Sequence, residues 1–194
     1  GDNYNSVAGS IQLTVNKATP SVTDWPVASD IIYEQTLGDS SLTSGTASVE
    51  GSFAFDAPAN KPNAGTASFA ATFMPTDNSN YNSVAGTIEL TVHKTTPAVS
   101  AWPVASDITY GQTLGDSLLT SGTASVEGSF AFNSPTNKPS AGTASFSATF
   151  TATDSNNYNT LPGTIEITVG KATPSITAWP SASAITFGDA LSAS

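Results

Sequence analysis

Apolar and polar residues alternate with a period of two in several short stretches of this chain. In Gly51–Asp56 (GSFAFD), Phe53 and Phe55 fall on one face. In ASFAATF, Phe69, Ala71 and Phe73 share a face, and in GTIELTV Ile88, Leu90 and Val92 point away from Thr87, Glu89 and Thr91. Such alternation predicts strands with one buried and one wet face. Turn signals separate them: Leu37-Gly38-Asp39, Glu50-Gly51, Lys61-Pro62-Asn63-Ala64-Gly65 and Asp77-Asn78-Ser79-Asn80. No stretch carries a sustained helical period.

The pattern repeats. Trp25, Trp102 and Trp179 stand 77 residues apart, as do Tyr4, Tyr81 and Tyr158, and Lys17, Lys94 and Lys171. Leu42–Phe55 recurs without change at Leu119–Phe132. The spacing predicts the C-terminal strands of a preceding repeat over 1–17, complete repeats over 18–94 and 95–171, and the N-terminal part of a following repeat over 172–194. Six or seven short strands in each predict an all-β chain of tandem immunoglobulin-like β-sandwich modules in an elongated array. The expected core of the first complete repeat is Trp25, Ile32, Tyr33, Leu37, Leu42, Val49, Phe53, Phe55, Phe69, Phe73, Ile88, Leu90 and Val92. The repeats join through His93-Lys94-Thr95-Thr96-Pro97 without a Gly/Ser linker. Proline fixes its own φ and keeps the residue before it extended, so a stiff joint is expected.

Composition narrows the function. The chain has five lysines, no arginine and fifteen acids, for a net charge of −10. Phosphate binding needs clustered cations, so nucleic acid is excluded as a partner. No apolar run reaches the roughly 18 residues of a membrane helix, so no membrane insertion is expected. There is no cysteine, hence neither disulfide nor thiolate chemistry.

Lys-Ala-Thr-Pro at 17–20, Trp25-Pro26, Ile108-Thr109-Tyr110-Gly111-Gln112-Thr113-Leu114, Asn63-Ala64-Gly65, Thr76-Asp77-Asn78-Ser79-Asn80-Tyr81-Asn82 and Thr87–Val92 recur in order. Together they resemble bacterial immunoglobulin-like surface repeats of the MBG type, YGX variety, whose Tyr-Gly-x motif matches Tyr110-Gly111-Gln112. The first complete repeat departs from it with Tyr33-Glu34-Gln35, and the last segment with Phe187-Gly188-Asp189. The resemblance implies secreted or wall-attached bacterial proteins in which such units form stalks or adhesin segments. It carries no catalytic residues.

The period also acts as an internal control on candidate chemistry. His93, the single histidine, is Asn16 and Gly170 in the other copies, so it reads as a surface residue near the joint. With one His and no Cys, zinc sites and His-based nucleophile systems are excluded. The acids kept in both complete repeats lie mostly in turns, and no enzyme activity is expected. The loops bearing Asp77 and Asn80, and Asp154 and Asn157, offer clustered oxygens that suit Ca²⁺. They lack the central Gly and the downstream Glu of an EF-hand, and Asp and Asn also form turns unaided. The expected cofactor is therefore none, with Ca²⁺ as the alternative. Structural and junction roles fall to Trp25, Trp102, Trp179, Tyr81, Tyr158, Lys94, Pro97, Lys171 and Pro174. The expected function is a spacer, stalk or fibre-forming segment of a large extracellular bacterial protein, with neighbouring repeats of the same chain or fibre as partners. The alternative is an adhesin repeat that binds a glycan or a host protein through many weak contacts.

Overall fold

The computed structural model describes residues 3–188 and 190. The chain divides into two compact units. Unit 1 comprises Gly1–Ala98, Ala124–Ser129 and Thr151–Leu161; unit 2 comprises Val99–Thr123, Phe130–Phe150 and Pro162–Ser194. Unit 1 thus holds the whole first complete repeat together with the 154–159 loop of the second.

The first repeat is all β apart from one 3₁₀ turn. Its strands are β1 (Val22–Asp24), β2 (Val27–Ala28), β3 (Ile31–Ile32), β4 (Leu42–Thr43), β5 (Thr46–Ala47), β6 (Gly51–Phe55), β7 (Gly65–Pro75) and β8 (Val84–His93). The count is eight rather than six or seven, because the segment from Val22 to Ile32 is broken at Trp25-Pro26 and Ser29-Asp30 into three short pieces. A four-stranded sheet runs β3-β8-β7-β6, and the ribbons β1-β5 and β2-β4 complete an immunoglobulin-like β-sandwich. Strands β6, β7 and β8 are antiparallel neighbours, whereas β3 joins β8 in parallel.

Register explains which residues are buried. Phe53 lies opposite Phe73, and Phe69 opposite Ile88, so the predicted inward faces of β6, β7 and β8 coincide. The buried cluster is Ile31, Leu37, Phe55, Ala71, Ile88, Leu90 and Val92, with Trp25, Ala28, Tyr33, Leu42 and Phe69 packed against it. Ile32 corrects the sequence reading: it is 48% exposed, and Ile31 is buried at 3%. Parallel pairing sets Ile31 beside Val92 and Ile32 beside His93, so Ile31 takes the inward parity of Val92. Leu37 is buried by the 3₁₀ turn Leu37–Asp39. Its N–H donates to the Asn60 carbonyl, and Asp39 accepts from the Thr36 N–H at 2.7 Å and the Thr36 hydroxyl at 2.8 Å.

The second repeat follows the same plan with β9 (Val99–Ala101), β10 (Val104–Ala105), β11 (Ile108–Thr109), β12 (Leu119–Thr120), β13 (Thr123–Ala124), β14 (Gly128–Phe132), β15 (Gly142–Ala152) and β16 (Leu161–Gly170). Its sheet order, β11-β16-β15-β14, copies that of the first, and its ribbons are β9-β13 and β10-β12. Its buried cluster uses the equivalent residues Ile108, Leu114, Phe132, Ala148, Ile165, Ile167 and Val169, with Ala105 added. Residues 5–16 and 172–176 form no strand, save an isolated bridge at Ala18 just beyond the first segment. Asp189 of the Phe187-Gly188-Asp189 motif lies outside the described residues.

Candidate functional site

The recurring polar residues converge on one construction, a stapled loop at the head of each repeat. In the first repeat the loop is Asp77–Asn82. The Asp77 carboxylate accepts the backbone N–H groups of Ser79 and Asn80 at 3.2 Å each, and the Asn80 side-chain amide at 2.8 Å. These bonds, the Asn80 amide first, hold the Asp77 pKa below its usual value. The carboxylate is thus engaged in closing its own turn, which is what Asp does when it caps a local bend. Among the described residues, no three His, Asp or Glu side chains gather as a metal-holding group.

The incoming segment staples this loop. Lys17 Nζ donates to the Asn78 carbonyl at 2.7 Å, Ala18 N–H to the Asn80 carbonyl at 2.9 Å, and Asn82 N–H to the Ala18 carbonyl at 2.8 Å. The second repeat reproduces each bond. Lys94 Nζ donates to the Ser155 carbonyl at 2.7 Å, Thr95 N–H to the Asn157 carbonyl at 3.1 Å, and Asn159 N–H to the Thr95 carbonyl at 2.8 Å. Parallel bridges Ala18–Tyr81 and Thr95–Tyr158 complete the match. The recurring lysine is therefore a loop clamp. Pro20 and Pro97 are buried behind it. Lys171 and Pro174 are exposed.

Within unit 1 the 154–159 loop is seated on the foot of the first repeat. Asn157 Oδ1 accepts the Ala64 N–H at 2.7 Å, and Asn157 Nδ2 reaches Asn63 Oδ1 at 3.3 Å and Asp154 Oδ2 at 2.8 Å. Tyr158 donates its hydroxyl to Glu34 Oε1 at 2.7 Å. The Tyr158 ring meets Tyr33 edge-on, with centroids 5.4 Å apart. The Glu34 hydrogen bond, followed by desolvation and the charges of Glu34 and Asp154, pushes the Tyr158 pKa up to about 12.

Equivalent positions measure what the joint covers. Asn157 is 5% exposed and counts as buried, whereas Asn80 in the same loop position is exposed. Tyr33 is half-buried, and its equivalent Tyr110 is 58% exposed. Ala64 is half-buried, and Ala141 is exposed. A buried side-chain amide must find partners, and Asn157 does: each of its two polar atoms is hydrogen-bonded.

The tryptophans act elsewhere. Trp25 and Trp102 are half-buried and packed within their own repeats, edge-on to Phe53 at 5.5 Å and to Phe130 at 5.4 Å. Each ring lies so close to a glycine, Gly86 or Gly163, that a Cβ there would stand 2.0 Å from the Trp Cζ2. Trp179 is 78% exposed. His93 Nε2 lies 2.7 Å from Asp30 Oδ2, both side chains more than half exposed, so the pair adds little stability. Sequence reading named Tyr158 and Asn157 but missed Glu34, Asn63 and Ala64 as their partners. The available signal was Glu34 itself, which stands where the other copies carry Gly111 and Gly188.

Comparison with known proteins adds little to this geometry. No protein-family model matches the chain, and no curated protein matches it. Among solved structures, titin domains Z1Z2 in complex with telethonin match at 13% identity and a TM-score of 0.29, over 82% of this chain and 100% of that one. Drosophila N-cadherin EC1-4 matches at 10% identity and a TM-score of 0.26, over 80% of this chain and 51% of that one. The fibronectin(III)-like modules of Clostridium thermocellum CbhA match at 14% identity and a TM-score of 0.26, over 84% and 100%. At these identities and scores nothing about this chain's role or partners follows from them. No helix among the described residues is long and apolar enough to cross a membrane, which says nothing of β-barrels.

Proposed function

We propose that this chain is a spacer segment, a stretch of stalk or fibre in a large extracellular bacterial protein, and not an enzyme. The observation that supports the reading is the seating of Asn157 and Tyr158 on the foot of the preceding repeat. Asn157, Tyr158 and Ala64 recur at the 77-residue period as Asn80, Tyr81 and Ala141, whereas Glu34 and Asn63 are particular to the first repeat. Polar atoms buried at such a contact cost free energy when it opens, because they lose protein partners that are shielded from water. Repeats that meet only their neighbours in this way transmit position along a chain, which is the general behaviour of linear repeat proteins. The MBG-type bacterial surface repeats that the sequence resembles supply the expected setting, and calcium plays no part in the proposed joint. Relaxation of backbone ¹⁵N nuclei in the full chain tests the reading. A single tumbling time shared by both repeats supports the spacer, and two independent tumbling times refute it.

One observation favours a second reading, a multivalent adhesin. A shallow depression of about 310 Å³ lined by Leu37, Ser40, Leu42, Phe53, Phe55 and Pro58 recurs at about 270 Å³ around Leu114, Ser117, Leu119, Phe130, Phe132 and Pro135. Its lining is kept in both repeats, as a ligand site used once per unit would require. Binding of the full chain to a glycan or host-protein array, lost on Leu42→Glu with Leu119→Glu while the fold persists, establishes this alternative.

A further inference from the structure

Glu34 departs from the other copies in sequence while keeping their backbone. Its φ is 80°, while Gly111 and Gly188 at the equivalent positions have φ of 98° and 104°. That region is open to glycine and unfavourable to residues that carry a Cβ. The positive φ belongs to a turn closed by the Gln35 N–H on the Ile32 carbonyl at 3.1 Å, which the second repeat keeps with Gln112 and Thr109, and a glutamate in that turn is strained where a glycine is not. The carboxylate accepts the Tyr158 hydroxyl at 2.7 Å, beside the edge-on contact of Tyr33 with Tyr158. A glycine at this corner has no acceptor for the hydroxyl.

We propose that Glu34 is a joint-selective latch, which tightens the contact of Tyr158 with the preceding repeat beyond what a glycine-bearing corner such as Gly111 provides. This rests on the spacer reading and deepens it, since joints in one array then differ in strength according to a single residue. A Glu corner makes a tight joint, and a Gly corner makes a looser one with a less strained repeat. The partner that the latch selects is a following repeat that presents Tyr at the position of Tyr158. The carboxylate strengthens the bond because an ionised acceptor binds a hydroxyl more strongly than a neutral one.

Hydrogen exchange of the full chain tests the latch. The Ala64 amide, which donates to Asn157 Oδ1 at 2.7 Å, reports the closed joint, and the exposed Ala141 is its reference. Ala64 is protected relative to Ala141 in the unaltered chain. Tyr158→Phe leaves the backbone at residue 34 untouched, and Glu34→Gly removes latch and strain together. Each raises Ala64 exchange roughly fivefold, the loss of one net hydrogen bond at an opening joint. A second readout is the ionisation of Tyr158, followed by ¹³C NMR of labelled tyrosine. The groups facing it are Glu34, Tyr33 and Asp154. In Glu34→Gly its midpoint falls from about 12 towards the ordinary 10.0. Protection of Ala64 unchanged in both variants overturns the latch while leaving the spacer intact. Ala64 exchanging as fast as Ala141 in the unaltered chain removes the joint, and the spacer reading with it.

Discussion

Gly86 sits under the Trp25 ring, and replacing it with alanine measures how much the sandwich depends on that approach. The added Cβ would stand 2.0, 2.4 and 2.6 Å from Cζ2, Cε2 and Cη2 of Trp25. Carbon atoms rest at about 3.5–4.0 Å, so the ring must withdraw by roughly 1.5 Å. Withdrawal breaks its edge contact with Phe53, which is itself packed on Phe73 at a centroid distance of 4.9 Å. Overpacking costs about 1–3 kcal/mol and a lost aromatic pair about 0.5–1.5 kcal/mol. Trp25 is half-buried and can swing outward, so the total stays below the upper end of a full Trp→Ala truncation, at about 2–4 kcal/mol. A domain of this size holds only about 4–12 kcal/mol in all. The first repeat should therefore melt roughly 10–25 °C lower. Scanning calorimetry of the full chain checks this, with Gly9→Ala as control because a Cβ there meets nothing within 4 Å. The second repeat should keep its transition, so the variant shows two. A Gly86→Ala melt within about 2 °C of the parent would show that the Trp–Gly contact is not a packing constraint.

The remaining predictions concern burial, pH and metal. Ile31→Ala should destabilise the first repeat by about 2–5 kcal/mol in urea unfolding, and Ile32→Ala by no more than about 0.5 kcal/mol; the reverse order would overturn the assigned parity of β3. Asp39, Asp77 and Asp116 have pKa values held below the ordinary 3.8, the first and third by the N–H and hydroxyl of Thr36 or Thr113 and Asp77 by Asn80. A depressed carboxylate contributes stability above its unfolded pKa and loses it as pH falls through the folded one. The melting temperature should therefore show no loss from these groups between about pH 7 and pH 5 and should decline only below about pH 4. NMR titration of the three carboxyls identifies the groups responsible. Adding Ca²⁺ or a chelator should leave the melting temperature unchanged, and a rise of several degrees with Ca²⁺ would reinstate the Asp77 and Asp154 loops as metal sites.

Much of the fold was legible because the chain states it twice. Period-two alternation identified the inward faces of β6, β7 and β8, since a strand's pleat alone decides which side chains share a face. Ile32 misled because Ile31 and Ile32 are adjacent and equally apolar, and a two-residue strand has no alternation of its own to read. The interior role of Trp25 was open in the sequence because a half-polar ring suits a core, an interface or a ligand equally. The structure packs the ring against Gly86, and that glycine lies 61 residues away in the chain.

The sequence by itself determined the repeat length, the all-β character, the inward faces of β6, β7 and β8, and the lack of cysteine. These depend on composition and on spacing along the chain, which neighbours in sequence suffice to fix. The tertiary structure alone decided that Lys17 and Lys94 clamp loops and that Asp77 spends its carboxylate on its own turn. It alone brought Glu34 to Tyr158, 124 residues apart. A contact of that separation depends on where two folded surfaces meet. Local propensity carries no record of it, except as a glutamate in a position where the other copies have glycine.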